Sequence, residues 1–151
     1  MAEILSENIK TKEILDWQGI HLLHFSGSSC SQKLRIFLNY KGIKWQSHSI
    51  SIATGQNYSN WFLGINPKGL VPILVDDGKV IAESNDIIQY LEQKFPEPVL
   101  ISKEQEDSMA DHLKDEDDLH IDRRNRAYKY MIGGLGTKKT KKVERAERNE
   151  A

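Results

Sequence analysis

The sequence predicts an α/β domain, built as βαβ followed by ββα, with a short and incomplete α-helical segment after it. Three observations carry this. An apolar run, HLLHF at 21–25, leads through a Gly/Ser cluster into a helical pattern, which is a strand, loop and helix unit. Asp77-Gly78 sits between the apolar runs ILV and VIA, the strongest short-range hairpin signal. SNDIIQYLEQKF then sets Ile87, Ile88, Leu91 and Phe95 on one helix face before Pro96 and Pro98 end it.

The elements follow in order. In residues 1–19, Ile4, Leu5, Ile9, Ile14, Leu15 and Trp17 fit a short amphipathic helix or a packed arm, and are read as an extension. The strand at 21–25 puts His21 and His24 on opposite faces. From Ser31, Leu34, Ile36, Phe37 and Leu38 keep mostly helical spacing until Lys41-Gly42, where glycine can take the left-handed conformation that stops helices. KWQSHSISI at 44–52 alternates as a strand with a patchy apolar face. YSNWFLGI at 58–65 is a short helix in which Trp61 and Phe62 pack, closed by Asn66-Pro67 and Gly69. Ser84 is the candidate N-cap of the helix that follows the hairpin.

Composition changes after Leu100. Residues 101–122 carry nine acidic side chains and only a sketched apolar stripe, as expected of an exposed helix. From Arg123 the sign reverses, GGLG breaks any helix near 133–136, and KKTKK belongs to a charged, solubilising tail without interleaved aromatics. The expected divisions are an extension at 1–19, a main domain at 20–98, a helical segment at 99–132 and a disordered tail at 133–151.

Lys plus Arg number 21 and Asp plus Glu 22, a formal charge of -1, so no overall field selects nucleic acid or an anionic membrane. One cysteine forms no internal disulfide, no apolar run nears the roughly 20 residues of a membrane span, and Glu3, Glu7 and Glu13 do not suit a targeting peptide. The expectation is a soluble, cytoplasmic protein. His112 and His120 stand among acids without a cysteine, so a solvated helix is preferred to a metal site and no metal is expected.

The candidate chemistry starts at SGSSCSQK, residues 26–33. A helix that begins directly after a buried strand turns unpaired backbone N–H groups and the positive end of its dipole toward the loop before it. Ser28, Ser29 and Cys30 occupy that loop, where a thiolate, from Cys30 or from a ligand, would be stabilised. The competing reading makes Cys30 a small packing residue beside Leu34. Val71-Pro72, if cis, would leave the Val71 backbone open to a peptide-like ligand, whereas an ordinary strand-edge proline would not. Ser84, after Glu83, is either a cap or a carboxylate contact with the first N–H groups of its helix.

SSCSQKLRIFLNYKGI, NPKGLVPILV and AESNDIIQYLEQKFP, together with the element order, resemble the N-terminal, thioredoxin-like domain of soluble glutathione transferases over about residues 20–98. The SSCS stretch is most similar to the zeta class. The resemblance implies that glutathione is bound as a substrate. Ser28 would donate its hydroxyl to the glutathione sulfur, with Ser29 and Cys30 beside it. Val71 would pair with the cysteinyl backbone, Pro72 would be the cis residue, Glu83 and Ser84 would hold the γ-glutamyl group, and Gln56 and Lys68 would reach the glycyl end.

Relatives with a catalytic cysteine carry it, counting back from Arg35, at the position of Ser28. A transferase or isomerase acting on a small electrophile is therefore favoured over a monothiol reductase using Cys30. The third reading is a non-catalytic module of the same fold. SMADHLKDEDDLHIDRRNRAYKYMI resembles the first helix of the family's second domain and the start of the next, but GGLGTKKTKKVERAERNEA resembles nothing in it. The missing remainder puts the electrophile pocket and the family's homodimer in doubt.

Overall fold

The computed structural model describes residues 2–100 and 105–130, in two units that divide at Leu100. The expected tail at 133–151 lies outside the described residues. In the first unit a five-stranded sheet takes the order β1-β5-β4-β2-β3. Its strands are β1 (Glu3–Ile4), β2 (Ile20–His24), β3 (Trp45–Ser49), β4 (Ile73–Asp76) and β5 (Lys79–Ile81), and its helices are α1 (Ser29–Tyr40), α2 (Asn60–Leu63) and α3 (Ser84–Lys94). β2 and β3 run parallel; the other pairs are antiparallel. The mixed sheet with its helices is the expected α/β, thioredoxin-like architecture.

β2 and β4 lie inside the sheet, and every residue of both is buried, which is why their sequences read as nearly continuous apolar runs. β3 is an edge strand with no buried residue, and this accounts for its patchy face. The apolar pattern is picked up just beyond it by Ile50, whose N–H donates to the His24 carbonyl at 2.8 Å. Helix α1 ends in a Schellman motif: Ile43 N–H bonds the Leu38 carbonyl at 2.9 Å, Gly42 N–H bonds Asn39 at 3.1 Å, and Gly42 has φ +66°. Asp77 and Gly78 both take positive φ, 48° and 80°, as a type I′ hairpin requires.

Of the two forms expected for the N-terminal residues, the structure has the packed arm and not the amphipathic helix. β1 pairs with β5, with Glu3 opposite Ile81 and Ile4 opposite Val80, and two 3-10 turns follow at Ser6–Asn8 and Lys12–Asp16. Ile9 and Ile14 are buried in the same cluster as Leu23, Phe62 and Ile73. Each such burial contributes roughly 1.5–3 kcal/mol, so the segment is part of the core. Thr11 Oγ1 donates to the Trp61 carbonyl at 2.7 Å, and Trp61 Nε1 donates to Glu13 at 2.5 Å. Trp17 stacks on His21 and His48, with ring centroids 4.6 and 4.4 Å away.

This packing makes Gly78 more than a turn residue. A Cβ placed there would stand 2.1 Å from the Leu15 carbonyl oxygen, whereas one at Gly42 meets nothing within 4 Å. Gly78→Ala is expected to destabilise by about 2–4 kcal/mol, from left-handed strain together with the clash, and Gly42→Ala by less, from strain alone. Urea unfolding of the two variants checks this; equal losses would mean that Leu15 does not sit against the turn.

The second unit is described as one helix, α4 (Glu106–Tyr130). Leu119 and Ile121 are exposed on it, and His120 Nδ1 lies 3.4 Å from Glu116 one turn earlier.

Candidate functional site

Strand pairing gathers three short segments at one end of the sheet. Leu23 stands opposite Ile73, so the loop leaving β2 adjoins Val71 and Pro72, which precede β4. Leu74 stands opposite Ile81, so Ala82 and Glu83 leave β5 at the same end and turn into α3. The Val71-Pro72 peptide bond is cis.

The loop before α1 is built by its own polar groups. Ser28 is the N-cap, and its Oγ accepts from Ser31 N–H at 3.2 Å. Acting as an acceptor leaves the hydroxyl hydrogen of Ser28 available to donate. Ser29 and Cys30 form the first turn of α1, with Cys30 partly exposed. The fully buried Ser31 accepts from Phe25 N–H at 3.3 Å, and Arg35 donates to the Phe25 and Ser26 carbonyls at 3.3 and 3.2 Å.

Arg35 Nη1 also lies 3.1 Å from His24 Nδ1. A guanidinium only donates, so Nδ1 is the acceptor and Nε2 carries the proton that bonds Ser47 Oγ at 2.8 Å. Burial, then the charge of Arg35 and the neighbouring His48, hold the His24 pKa below its ordinary value. His24 therefore orients Arg35 without adding charge, and Arg35 fixes the curvature of the loop.

At α3 the structure corrects the capping expectation. The N-cap is Glu83, with φ +61° and no side-chain capping bond, and Ser84 is the first helical residue, largely buried. The left-handed turn at Glu83 starts the helix one residue earlier than a Ser84 cap would. Ser84 is thereby placed at the positive end of the α3 dipole. A non-glycine residue in this conformation costs about 1–3 kcal/mol, and such outliers cluster at ligand sites.

Lys68 Nζ meets Glu83 Oε1 at 3.1 Å, joining two of the candidate residues in an exposed ion pair that contributes little to stability. Gln56 is brought to none of them by a contact: its Oε1 accepts from Ser51 N–H at 2.9 Å and closes its own loop. Several positioning residues escaped the sequence reading. Buried Asn57 donates to the Gly69 carbonyl at 2.8 Å, Asn66 donates to the Leu70 carbonyl at 3.0 Å and accepts from Lys68 N–H at 3.2 Å, and Lys33 Nζ reaches Asn85 at 2.6 Å. Only Asn66 had a sequence signal, its place in the Asn66-Pro67 and Gly69 break.

The arrangement offers a hydroxyl donor at one helix N-terminus, a strand-end backbone segment, and a second helix N-terminus carrying a serine and a carboxylate. It suits an elongated ligand with a soft anion at one end and a charged amino-acid group at the other.

Residues 27–94 match the family described as glutathione S-transferase, N-terminal domain. The chain is 41% identical over 87 residues to "Glutathione S-transferase 1" of Dianthus caryophyllus, covering 58% of this chain and 39% of that protein. It is 43% identical over 82 residues to a zeta-class glutathione S-transferase of Euphorbia esula, covering 54% of this chain and 36% of the relative. Among solved structures, the holo form of a bacterial maleyl pyruvate isomerase, a zeta-class glutathione S-transferase, superposes with a TM-score of 0.53 at 33% identity, over 54% of this chain and 39% of that one. The chain thus spans about two fifths of the length of the curated relatives it matches.

Proposed function

Because residues 27–94 match the family described as glutathione S-transferase, N-terminal domain, we propose that this chain binds reduced glutathione at the sheet end and activates its thiol for attack on a small electrophile or for an isomerisation. The observation that carries the reading is the convergence of the Ser28 loop, Val71-Pro72 and Glu83-Ser84 at one end of the sheet, each presenting a group that one part of the tripeptide needs.

Ser28 donates its hydroxyl hydrogen to the sulfur while still capping α1, and the α1 dipole favours the anion. Free thiols titrate near 8.5, and a fall of about two units makes the thiolate the major form at neutral pH. The N–H and C=O of Val71 pair with the cysteinyl backbone in the manner of an added strand. Glu83 takes the γ-glutamyl ammonium, and Ser84 with the first N–H groups of α3 takes its carboxylate. Lys68, which in the free protein pairs with Glu83, is the proposed cation for the glycyl carboxylate. The thiolate then forms the S–C bond to the electrophile as the leaving group departs with the electron pair of the bond that breaks. In an isomerisation it adds to a conjugated double bond, the resulting single bond rotates, and the S–C bond breaks again to return the thiolate. Proximity supplies much of the acceleration.

Calorimetric titration with reduced glutathione tests this. Saturable binding is expected, with Ser84→Ala weakening it about tenfold through loss of one hydrogen bond to a charged group. A folded chain that takes up no glutathione would reject the reading and leave a non-catalytic domain of the same fold.

A further inference from the structure

One residue of the N-terminal segment touches the chain on both sides of the candidate ligand groups, once between β5 and α3 and once on α3. The Ala2 carbonyl accepts from Ala82 N–H at 2.9 Å, and Ala2 N–H donates to Asp86 Oδ2 at 2.8 Å. Residues 82 and 86 bracket Glu83, Ser84 and Asn85, the stretch that contains the left-handed backbone and the start of the helix. β1 is in turn held against β5, and the turns after it bury Ile9 and Ile14 in the core.

We propose that Ala2, held in place by β1, braces the ligand end of α3, with Asp86 as the positioning residue through which the N-terminal segment sets affinity for the γ-glutamyl group. The inference rests on the glutathione reading above. A left-handed residue persists only where its surroundings over-determine it. Ala2 supplies that constraint from outside the β5-α3 connection, by pinning the strand before Glu83 and the helix after it. Asp86 acts through this bond; its own charge, beside the N-terminus that receives the ligand carboxylate, opposes the ligand.

Two variants separate the bond from the charge. Asp86→Asn and Asp86→Ala both remove the charge, but only asparagine keeps an oxygen to accept from Ala2. Alanine is the better helix former, so a loss seen in that variant is not a weaker helix. Calorimetry with reduced glutathione is expected to give a Kd for Asp86→Ala about fivefold above that of Asp86→Asn, the effect of one hydrogen bond. Amide hydrogen exchange at Ala82, which donates to Ala2, and at Ile87, which donates to Glu83, is expected without ligand to rise in the alanine variant and stay at the wild-type level in the asparagine variant. Equal Kd values and equal exchange in the two variants would overturn the brace. If the wild-type chain binds no glutathione, the exchange comparison still decides: faster exchange in Asp86→Ala alone keeps the brace and removes the ligand reading, and unchanged exchange removes both.

Discussion

Replacing Lys41 with methionine is expected to destabilise the first unit by about 3 kcal/mol, the low end of the cost of stranding one partner of a buried ion pair, because Glu92 is partly exposed. The Lys41 side chain is fully buried at the end of α1, and its Nζ lies 2.7 Å from Glu92 Oε2 on α3. The same ammonium donates to the Phe95 carbonyl at 2.5 Å, at the end of α3, and stands 5.5 Å from the centre of the Phe37 ring. Glu92 also accepts from Leu100 N–H at 2.9 Å, so one carboxylate fixes the helix pair and the chain that leaves it. For about 100 residues the loss corresponds to a Tm lower by roughly 15 °C. The double variant Lys41→Met with Glu92→Leu is expected to recover most of it, because two apolar groups leave no uncompensated charge. Thermal unfolding followed by circular dichroism gives both numbers; a single variant within about 1 kcal/mol of wild type would show that water reaches the pair in solution.

The fold was legible where chemistry punctuates the chain. Lys41-Gly42 and Asp77-Gly78 demand left-handed backbone, and that demand is local, so both stops could be placed from sequence. β1 could not. It is two residues long, too short for alternation to register, and its partner is β5 some seventy-five residues away. Ile9 and Ile14 resisted a periodic reading because they sit on either side of a change of turn and not along one helix face. Their burial is decided by Phe62 and the sheet, which only the tertiary structure supplies.

Of the candidate site, the groups at helix starts were visible because a strand followed by a small polar loop and a helix has one physical outcome, a dipole facing the loop. What holds those groups was not visible. Arg35 lies among the apolar residues of α1 and reads as a solvated position, yet it grips two carbonyls and His24. Ser31 reads as no more than the start of a helical pattern, yet it is buried and anchors Phe25. The Ser84 cap failed for a related reason: a serine before a helix is usually the cap, and only the backbone angle at Glu83 shows that the preceding residue takes that place.

Ser28→Ala separates a thiolate-stabilising hydroxyl from a thiol enzyme acting through Cys30. Without the hydroxyl, the pKa of bound glutathione is expected to return toward about 8.5, and its ultraviolet thiolate band at pH 7 to fall roughly 20-fold from the value for a pKa near 6.5. Loss of the cap to Ser31 also costs about 1 kcal/mol of stability, which the domain tolerates, and Ser28→Thr, which keeps both the hydroxyl and the cap, is expected to restore the band. The measurement needs no electrophile. Where a turnover assay exists, the drop is expected to be about 10²–10³-fold, as for removal of one donor to a developing anion. Cys30→Ser leaves Ser28, its cap and the α1 dipole in place, so the band is expected to stay within about twofold of wild type. The reverse pattern, a band that survives Ser28→Ala and an activity that vanishes with Cys30→Ser, would transfer the chemistry to the protein's own sulfur. Ser28 stands in the loop between β2 and α1 with a hydrogen left to give, and Cys30 lies partly exposed in the first turn of the same helix, so both groups face the positive end of one dipole and the two substitutions decide between them.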